Sequence, residues 1–428
     1  MRSRLGRNIL LGIGGAVAAL AVTVGRGEHS SAVKTSVGAA TLAAPVTTRV
    51  TEELLPPARK PAVDPNAVVL LEQMTRQGDR YVAPMSDGRL AVLTIDPRLQ
   101  ETAERVLNLA KAPRGAIVVT DTDGRVLALA GRRTEDPKGG KDGIVDQRLA
   151  LEAWAPAASI FKVVSAAAMV EAGARGEDRV CFHGGVRSVM ESNLTDSKKD
   201  RRCENLSYGL AHSQNAIIAK VAHQRVEPAK LVDVAGRFGF GIGAPRPLPF
   251  AAPAVFGSAT IPAEKGVPFG RTAAGFDGVT LSPLGGAMLA GAIAHGGEMP
   301  PATIVSAYIE QGVEKPVTRA GKARRVVDAA VADEVAAMMT ETCRKGSAAR
   351  AFTGREKIRD VTVAGKTGTL SEQSPHYTQY SWFVGYAPAE KPTLTISVLL
   401  GNAELWYMKA HTAARTVLAA GLAPRPPS

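Results

Sequence analysis

Histidine and cysteine are scarce in this sequence, which contains seven His and three Cys among its 428 residues. No two cysteines stand at C-x-x-C spacing and no H-E-x-x-H pair is present, so the common arrangements of zinc ligands are missing and we expect neither a metal nor another cofactor. The G-x-S-x-G turn of many serine hydrolases is also missing. Without a Ser-His-Asp order, His212 is interpreted as a packing or surface residue.

Acidic residues are in the minority, and the net charge is +12. The first sixty residues hold eight Lys or Arg against three Glu, so part of the basicity is N-terminal. Such a charge attracts nucleic acid, an anionic membrane surface or an acidic substrate through the same long-range field. Because no recognition helix, zinc finger or basic strand interleaved with aromatic residues accompanies it, we expect no nucleic-acid partner.

An apolar stretch near the N-terminus predicts export. Three arginines precede residues 8–25, which are uncharged and mostly apolar, in the layout of an export signal. The stretch is long for a cleaved signal and short for a spanning helix, so both fates stay open. We favour a retained signal anchor over residues 1–27, with a cleaved signal peptide as the alternative. Residues 28–63, rich in Ala, Thr, Val and Pro without a regular period, predict a tether.

Two of the three cysteines fit an oxidising compartment. Cys181 and Cys203 lie in one polar, loop-like segment, where they can form a disulfide that leaves Cys343 alone. Spacing alone does not establish that their Cα atoms are close, so three unpaired thiols remain the alternative.

Residues 64–88 predict a short accessory segment before the main domain. Asp64-Pro65 has the form of a helix start, and we expect that helix to end at Gly78. Residues 80–83 and 89–95 then predict two strands joined by a turn.

The order of the remaining elements indicates a mixed α/β domain of the α+β type. A strong hairpin signal at residues 121–124 lies between two apolar runs. Residues 155–350 are dominated by Ala-rich helical stretches, and strands return between 361 and 400 before a closing helix near 409–420. This order predicts an antiparallel sheet completed from both ends of the domain and covered by helices, with an inserted helical lobe.

Ser159 and Lys162 stand at S-x-x-K spacing where an apolar helix is expected to begin. Positions i and i+3 share a helix face, so the Lys162 amine can reach the Ser159 hydroxyl. A lysine desolvated in an apolar cleft can act as the base that a serine nucleophile needs, and the helix N-terminus directs backbone N–H groups at the site. The pair alone is weak evidence of a catalytic site, because Ser31 and Lys34 have the same spacing in the predicted tether.

Ser213 and Asn215 form an S-x-N motif directly before another apolar helix. A serine at such a position commonly caps the helix. Capping is compatible with chemistry, because a second hydroxyl can relay a proton and an amide can orient the base or bind a peptide backbone.

The segment Lys366-Thr367-Gly368-Thr369 follows a short β-branched run that predicts a strand ending at residue 364. It offers a fixed positive charge, a glycine that permits close approach of a substrate backbone, and two hydroxyls that can bind a carboxylate. A phosphate-binding loop is the competing interpretation. It fails because Asp360 stands where the first glycine of that loop should be.

In combination, S-x-x-K, S-x-N and K-T-G in this order resemble the three-motif signature of penicillin-recognising serine enzymes. Residues 91–96, 293–297 and 382–388 also look like stretches of the transpeptidase domains of penicillin-binding proteins, and the resemblance covers about residues 89–421. One departure is that Pro156-Ala157-Ala158 precedes the serine, where the family usually has Pro-Gly.

The resemblance implies a monofunctional, class B-like penicillin-binding transpeptidase domain over residues 89–423, with a β-lactamase/transpeptidase-like fold. Its activity would be that of a peptidoglycan D,D-transpeptidase, a serine acyltransferase that also binds penicillin covalently. Ser159 would be acylated by the D-Ala-D-Ala end of a stem peptide, Lys162 would take its proton, and Ser213 and Asn215 would assist the transfer.

The resemblance further implies that Lys366, Thr367, Gly368 and Thr369 bind the donor, whose carboxylate they would hold. The backbone N–H groups of Ser159 and Thr369 would form the oxyanion hole. An amine of a neighbouring stem peptide would then attack and form the cross-link, and β-lactams would inhibit by trapping the same serine.

The expected partners are peptidoglycan stem peptides, the membrane through the N-terminus and proteins of a wall-synthesis complex. The expected location is the bacterial inner membrane, with the catalytic domain in the periplasm or extracytoplasmic space; cleaved secretion is the alternative. A D,D-carboxypeptidase or β-lactamase on the same fold remains open, as does a non-catalytic β-lactam or muropeptide sensor.

Overall fold

The computed structural model describes residues 67–134, 143–241, 256–317, 322–374 and 376–424. The expected anchor over 1–27 and tether over 28–63 therefore lie outside the described residues. Within the ranges that are described, no helix is both long enough and apolar enough to cross a membrane.

The strands of the described residues are mostly short and antiparallel. In chain order they are β1 (Thr75–Gln77), β2 (Arg80–Pro84), β3 (Leu90–Leu93), β4 (Arg114–Asp121), β5 (Val126–Arg133), β6 (Ile144–Val145), β7 (Ala155–Pro156), β8 (Arg179–Phe182), β9 (Arg202–Asn205), β10 (Gly257–Ala259), β11 (Val279–Leu281), β12 (Glu298–Met299), β13 (Val305–Glu310), β14 (Val313–Pro316), β15 (Arg324–Arg325), β16 (Ala364–Glu372), β17 (Thr378–Ala387) and β18 (Leu394–Asn402).

The helices lie mainly between β7 and β16. In chain order they are α1 (Pro97–Ala110), α2 (Lys162–Glu171), α3 (Leu206–Ala211), α4 (Asn215–Arg225), α5 (Pro228–Arg237), α6 (Val267–Ala273), α7 (Pro283–Ala294), α8 (Ala329–Arg344), α9 (Ala349–Thr353) and α10 (Ala410–Leu422).

A six-stranded antiparallel sheet in the order β16-β17-β18-β4-β5-β6 forms the centre of the fold. Its first three strands come from the end of the chain and its last three from the beginning of the domain. The fold prediction is thus confirmed: the sheet is completed from both ends, and the segment from α2 to α9 between its halves is the inserted helical lobe.

Both faces of this sheet are covered, as the burial of every residue of β18 shows. Ile396 and Val398 point to one face, where they pack with residues of α1 and α10 such as Leu99 and Val417. Leu399 points to the opposite face and belongs to the larger core that includes α2 and α7. The alternation follows from the two-residue period of a strand, and it fixes the register of the central sheet.

The predicted helix from Asp64 to Gly78 is wrong in the part that the structure describes. Residues Leu71–Gln73 form a single 3₁₀ turn, and Thr75–Gln77 is a strand that pairs with β2. Gly78 has a φ of +64°, which lets it form the tight turn of the hairpin between β1 and β2. It does not end the helix that the sequence predicts. The two strands predicted after Gly78 are confirmed as β2 and β3. They belong to a second, five-stranded sheet, in which β3 pairs with β13.

Candidate active site

The segment that carries Ser159 is held between the central sheet and the helical lobe. Strand β7 ends at Pro156, whose carbonyl accepts a hydrogen bond of 2.9 Å from the indole Nε1 of Trp382 on β17. A 3₁₀ turn over Ala158–Ile160 then leads into α2, which begins at Lys162. The partly exposed Ser159 therefore stands just before the helix. Trp382 itself is buried.

Ala158 adopts the backbone conformation that glycine favours. Its φ is +49°, in the left-handed region, at the position where the family usually has glycine. A close neighbour is Gly275, on which a Cβ atom would lie 2.0 Å from the Ala158 carbonyl oxygen. The turn that presents Ser159 is thus retained without the usual glycine, at a conformational cost of about 1 kcal/mol or more.

Lys162 joins the first two motifs. Its ammonium Nζ lies 2.7 Å from the Ser159 hydroxyl, 3.1 Å from the Ser213 hydroxyl and 2.6 Å from the Asn215 Oδ1 atom. The side chain is completely buried. The structure therefore places the other three side chains in direct contact with Lys162. Helical spacing predicts only the contact between Ser159 and Lys162.

Ser213 lies between two lysines instead of capping α4. Its φ is +57°, in the left-handed region. The first turn of α4 is capped by Gln214, whose side-chain Oε1 atom accepts a hydrogen bond of 3.2 Å from the Ala216 backbone N–H. The capping interpretation of Ser213 is wrong, because its hydroxyl instead accepts from Lys162 and from Lys366, at 3.1 Å in both cases.

Lys366 stands within a strand, since β16 begins at Ala364 and continues through the whole K-T-G-T segment to Glu372. The predicted strand that ends at residue 364 is corrected accordingly. The Lys366 side chain is buried and also donates to the Thr367 carbonyl at 2.8 Å.

Gly368 lets β16 approach the segment that carries Ser159 closely. A Cβ atom at this position would lie 3.2 Å from Ile160 Cγ1 and 3.1 Å from Trp382 Cβ, closer than most side chains tolerate. Thr369, which follows, is exposed. β16 is an edge strand of the central sheet, so the backbone groups that point away from β17 can pair with an extended ligand.

Ser347 is a site residue that the sequence did not indicate. Its hydroxyl lies 2.6 Å from the Thr367 hydroxyl, and its backbone N–H donates to the Ala211 carbonyl at 2.9 Å. It belongs to the short connection between α8 and α9 and carries no motif of its own. Only the tertiary fold brings it to the cleft.

Burial determines the protonation of the two lysines. It lowers the pKa of Lys162 well below its ordinary 10.5, and the neighbouring positive charge of Lys366 lowers it further. Burial also lowers the pKa of Lys366, to about 7. In the described part of the chain neither ammonium has a carboxylate within ion-pair distance, so no carboxylate there restores the charged form. The lowered pKa suits Lys162 to accept a proton from a neighbouring hydroxyl.

A cavity of about 500 Å³ continues along the end of β16 beyond Thr369. Its walls include Trp154 and Pro156 on one side and Leu370 and Glu372 on the other. The cavity gives a ligand that lies along β16 room beyond the K-T-G-T segment.

The other singled-out residues lie outside this cluster. Cys181 and Cys203 face each other across β8 and β9 and form a disulfide, and Cys343 is a buried free thiol whose pKa is raised by burial. His212 is exposed and stacks on the ring of Tyr208, with 4.0 Å between the ring centroids. No group of three or more metal-ligating side chains occurs in the ranges described.

Comparison with known proteins agrees with this fold. The family model described as "Penicillin binding protein transpeptidase domain" matches residues 115–421. The peptidoglycan D,D-transpeptidase PbpA of Mycobacterium tuberculosis is 26% identical over 336 residues, which cover 72% of this chain and 66% of PbpA. The stage V sporulation protein D of Bacillus subtilis is 23% identical over 348 residues, covering 77% of this chain and 52% of that protein.

The chain thus spans about two thirds or less of the length of these curated relatives. Among solved structures, the ceftriaxone acyl-enzyme of penicillin-binding protein A from M. tuberculosis superposes with a TM-score of 0.66 at 21% identity, over 78% of this chain and 80% of that one. The family model alone covers well over half of the sequence. This chain therefore belongs to the family of penicillin-binding protein transpeptidase domains.

Proposed function

We propose that the protein is a peptidoglycan D,D-transpeptidase that joins stem peptides through an acyl-enzyme on Ser159. The observation that carries this proposal is a continuous series of hydrogen bonds from the Ser159 hydroxyl to Lys162 (2.7 Å), on to Ser213 (3.1 Å) and on to Lys366 (3.1 Å). A nucleophile, its base and a proton relay are thus in contact, which is the arrangement that acyl transfer requires.

In the acylation step, neutral Lys162 takes the proton of Ser159 as the serine Oγ attacks the carbonyl carbon of the penultimate D-Ala. The backbone N–H groups of Ser159 and Thr369 stabilise the resulting oxyanion. The C–N bond to the terminal D-Ala then breaks, and the departing amine receives a proton through Ser213. The acyl group is left on the serine oxygen, and Lys162 is neutral again once that proton has passed along the series.

The donor is held by the K-T-G-T strand. Its terminal carboxylate binds to the Lys366 ammonium and to the hydroxyls of Thr367 and Thr369, and Gly368 leaves room for its backbone along the edge of β16. A neighbouring stem peptide supplies the amine that attacks the ester carbonyl, with Lys162 now taking a proton from that amine. The C–O bond to Ser159 then breaks, and the serine oxygen receives that proton from Lys162, which leaves the new amide as the cross-link. A β-lactam presents a similar carboxylate and a reactive amide, so it acylates the same serine.

We also propose the location, the partners and the domain division that the sequence led us to expect. Residues 1–27 form a membrane anchor, 28–63 a tether, 64–88 an accessory segment and 89–423 the catalytic domain, which lies outside the cytoplasm. Stem peptides are the substrates, and proteins of a wall-synthesis complex are the expected partners. The name of the relative PbpA, a peptidoglycan D,D-transpeptidase, supports the activity.

The test follows the fate of the acyl group in the full-length protein. A fluorescent penicillin is expected to label the chain covalently, and the label is expected to persist far longer than seconds. With a D-Ala-D-Ala donor and an amine acceptor, the aminolysis product is expected to exceed the hydrolysis product. Label release within seconds would instead indicate a β-lactamase, hydrolysis alone a carboxypeptidase, and labelling without any turnover a sensor. Absence of labelling in folded protein would contradict all four.

Ser347→Ala is expected to weaken donor binding modestly. The Ser347 hydroxyl lies 2.6 Å from that of Thr367, so its removal frees the Thr367 hydroxyl to turn away from the donor carboxylate. One such hydrogen bond is worth about 1 kcal/mol, which corresponds to roughly fivefold in the apparent KM for the donor. Steady-state kinetics with a D-Ala-D-Ala donor measures the change. Ser306→Ala on β13, which also loses one hydrogen bond, is the control and should leave KM unchanged; an unchanged KM in Ser347→Ala would contradict the role.

A further inference from the structure

A buried lysine outside the catalytic cluster has a partner network that leads back to Asn215. Lys220 lies on α4, one and a half turns after Asn215, and its side chain is 2% exposed. Its ammonium donates to the Asp200 carboxylate at 2.7 Å and to the Cys181 carbonyl at 2.8 Å. A buried charge persists only where paired and hydrogen-bonded, so these contacts hold the segment from Cys181 to Asp200 against α4.

Asp200 extends the network to the far end of this segment. Its side chain is 5% exposed, and one carboxylate oxygen lies 2.5 Å from the Nδ1 atom of His183. Its other oxygen accepts from the Ser197 backbone N–H at 2.9 Å as well as from Lys220. Burial by itself raises the pKa of Asp200, but the hydrogen bonds from His183 and Lys220 lower it to a net value below the ordinary one. The carboxylate therefore stays charged and ties both ends of the segment together.

The segment next to His183 reaches the catalytic cluster. Gly184 and Gly185 have φ values of +57° and +72°, which turn the chain back towards α4. A Cβ atom on Gly185 would lie 2.5 Å from the Ala216 backbone N, so the chain approaches closely only because this residue is glycine.

The carbonyl groups at this turn fix the amide of Asn215. Its Nδ2 atom donates to the Gly185 carbonyl at 2.8 Å and to the Val186 carbonyl at 3.3 Å. Carbonyl oxygens only accept, so the amide nitrogen must face them, and the Oδ1 atom must then face Lys162, from which it accepts at 2.6 Å. The backbone at 185–186 thus decides which end of the amide meets the base.

We propose that Lys220 and Asp200 are positioning residues for acylation, which hold the segment 181–203 so that its carbonyls orient the Asn215 amide towards Lys162. The Cys181–Cys203 disulfide closes the base of the same segment. Neither Lys220 nor Asp200 contacts the nucleophile or its base; both act through Asn215. This inference rests on the proposed acylation of Ser159 and deepens it.

The first test measures acylation of the full-length protein by a fluorescent penicillin in the variant Lys220→Met, which keeps the length of the side chain and removes its charge. We expect the maximal acylation rate constant to fall about tenfold, since the Asn215 amide is no longer held in its hydrogen bond with Lys162, while the dissociation constant before acylation stays within about twofold. Lys199→Met, an exposed lysine of the same segment, is the matched control and should acylate as the wild type does.

Lys220→Met leaves Asp200 buried without its cation, which can impair folding. The double variant Lys220→Met/Asp200→Asn removes both charges and is expected to keep the fold, as thermal unfolding would show, but to acylate as slowly as the single variant. A double variant with the wild-type acylation rate overturns the proposal.

The second test is a double-mutant cycle with Asn215→Ala. If Lys220 acts through Asn215, adding Lys220→Met to Asn215→Ala changes the acylation rate by less than about twofold, because the amide to be oriented is already gone. A general loss of structure would instead lower the rate tenfold in both backgrounds and would refute the positioning role. The two proposals fail separately: an unlabelled wild type contradicts the proposed function, whereas labelled wild type with an equally fast Lys220→Met contradicts only this inference.

Discussion

Ser159→Ala is expected to abolish covalent labelling by penicillin and to reduce cross-link formation by at least about 1,000-fold, as the loss of a catalytic nucleophile does in other serine enzymes. The Ser159 hydroxyl is partly exposed and 2.7 Å from Lys162, so it is the hydroxyl that both a substrate and the base can reach. The free thiol of Cys343 cannot replace it, because that side chain is buried and burial raises its pKa.

Intact-mass measurement after exposure to penicillin checks this result, since each acyl group adds the mass of one inhibitor. The matched control is Ser165→Ala on α2, the helix that follows Ser159. The Ser165 hydroxyl is buried and donates to the Ala273 carbonyl at 2.8 Å, away from the cleft. This control should be labelled as fully as the wild type, with only a small loss of stability. A stoichiometric adduct on Ser159→Ala would show that another residue is the nucleophile.

Only one of the contacts among the motifs was predictable from local geometry. Ser159 and Lys162 are joined by helical geometry, and an apolar helix starting at the S-x-x-K pair can be identified from its composition. The meeting of Ser213 and Lys366, 153 residues apart, could not be derived from either segment by itself. It was predicted only because the order of the three motifs resembles that of a known family.

Local sequence patterns failed where tertiary contacts override them. Asp64-Pro65 and Gly78 suggest the two ends of a helix, yet the residues before Gly78 pair with β2, because a glycine with positive φ serves a hairpin as well as a helix end. Ser213 was equally ambiguous, and its φ of +57° shows that its place in the cleft, not helix capping, decides its conformation.

Residues that act through the fold left no sequence signal. Ser347 meets Thr367 only because the α8–α9 connection packs against β16. Lys220 is one of many lysines in a basic chain, and nothing in its neighbours along the sequence indicates that it is buried against Asp200. Long-range pairs of this kind depend on topology, which single-sequence patterns do not encode.

Replacing Lys366 is expected to raise stability while it removes activity. The pKa of Lys366 is lowered from 10.5 to about 7, so below pH 7 the unfolded chain holds a proton more favourably than the folded one. That shift corresponds to a cost of about 5 kcal/mol at low pH, on the scale of 1.36 kcal/mol for each pKa unit. Lys366→Met relieves this cost but loses the hydrogen bonds to Ser213 and Thr367, worth about 1–3 kcal/mol together.

The free energy of unfolding of Lys366→Met is therefore expected to exceed that of the wild type by about 2 kcal/mol at pH 6, which corresponds to a Tm increase of roughly 2–5 °C. The sign of the pH dependence is decisive. Because the wild-type penalty is complete below pH 7 and disappears as the pH rises towards 10.5, the gap in Tm between variant and wild type should narrow between pH 7 and pH 10. Lys345→Met, an exposed lysine at the end of α8, should show no such gap. A lower Tm for Lys366→Met at pH 6 would contradict the prediction.

The same variant is expected to acylate at least about 100-fold more slowly, because the donor carboxylate loses its cation. The pH dependence of the residual acylation rate is also expected to change. Burial and then the charge of Lys366 keep the pKa of Lys162 low, so removing that charge raises the Lys162 pKa. Since acylation requires neutral Lys162, the rise of the acylation rate with pH should move to higher pH in Lys366→Met. If the acylation rate of Lys366→Met instead rises over the same pH range as that of the wild type, Lys366 does not control the protonation of Lys162. The role of Lys366 would then be confined to binding the donor.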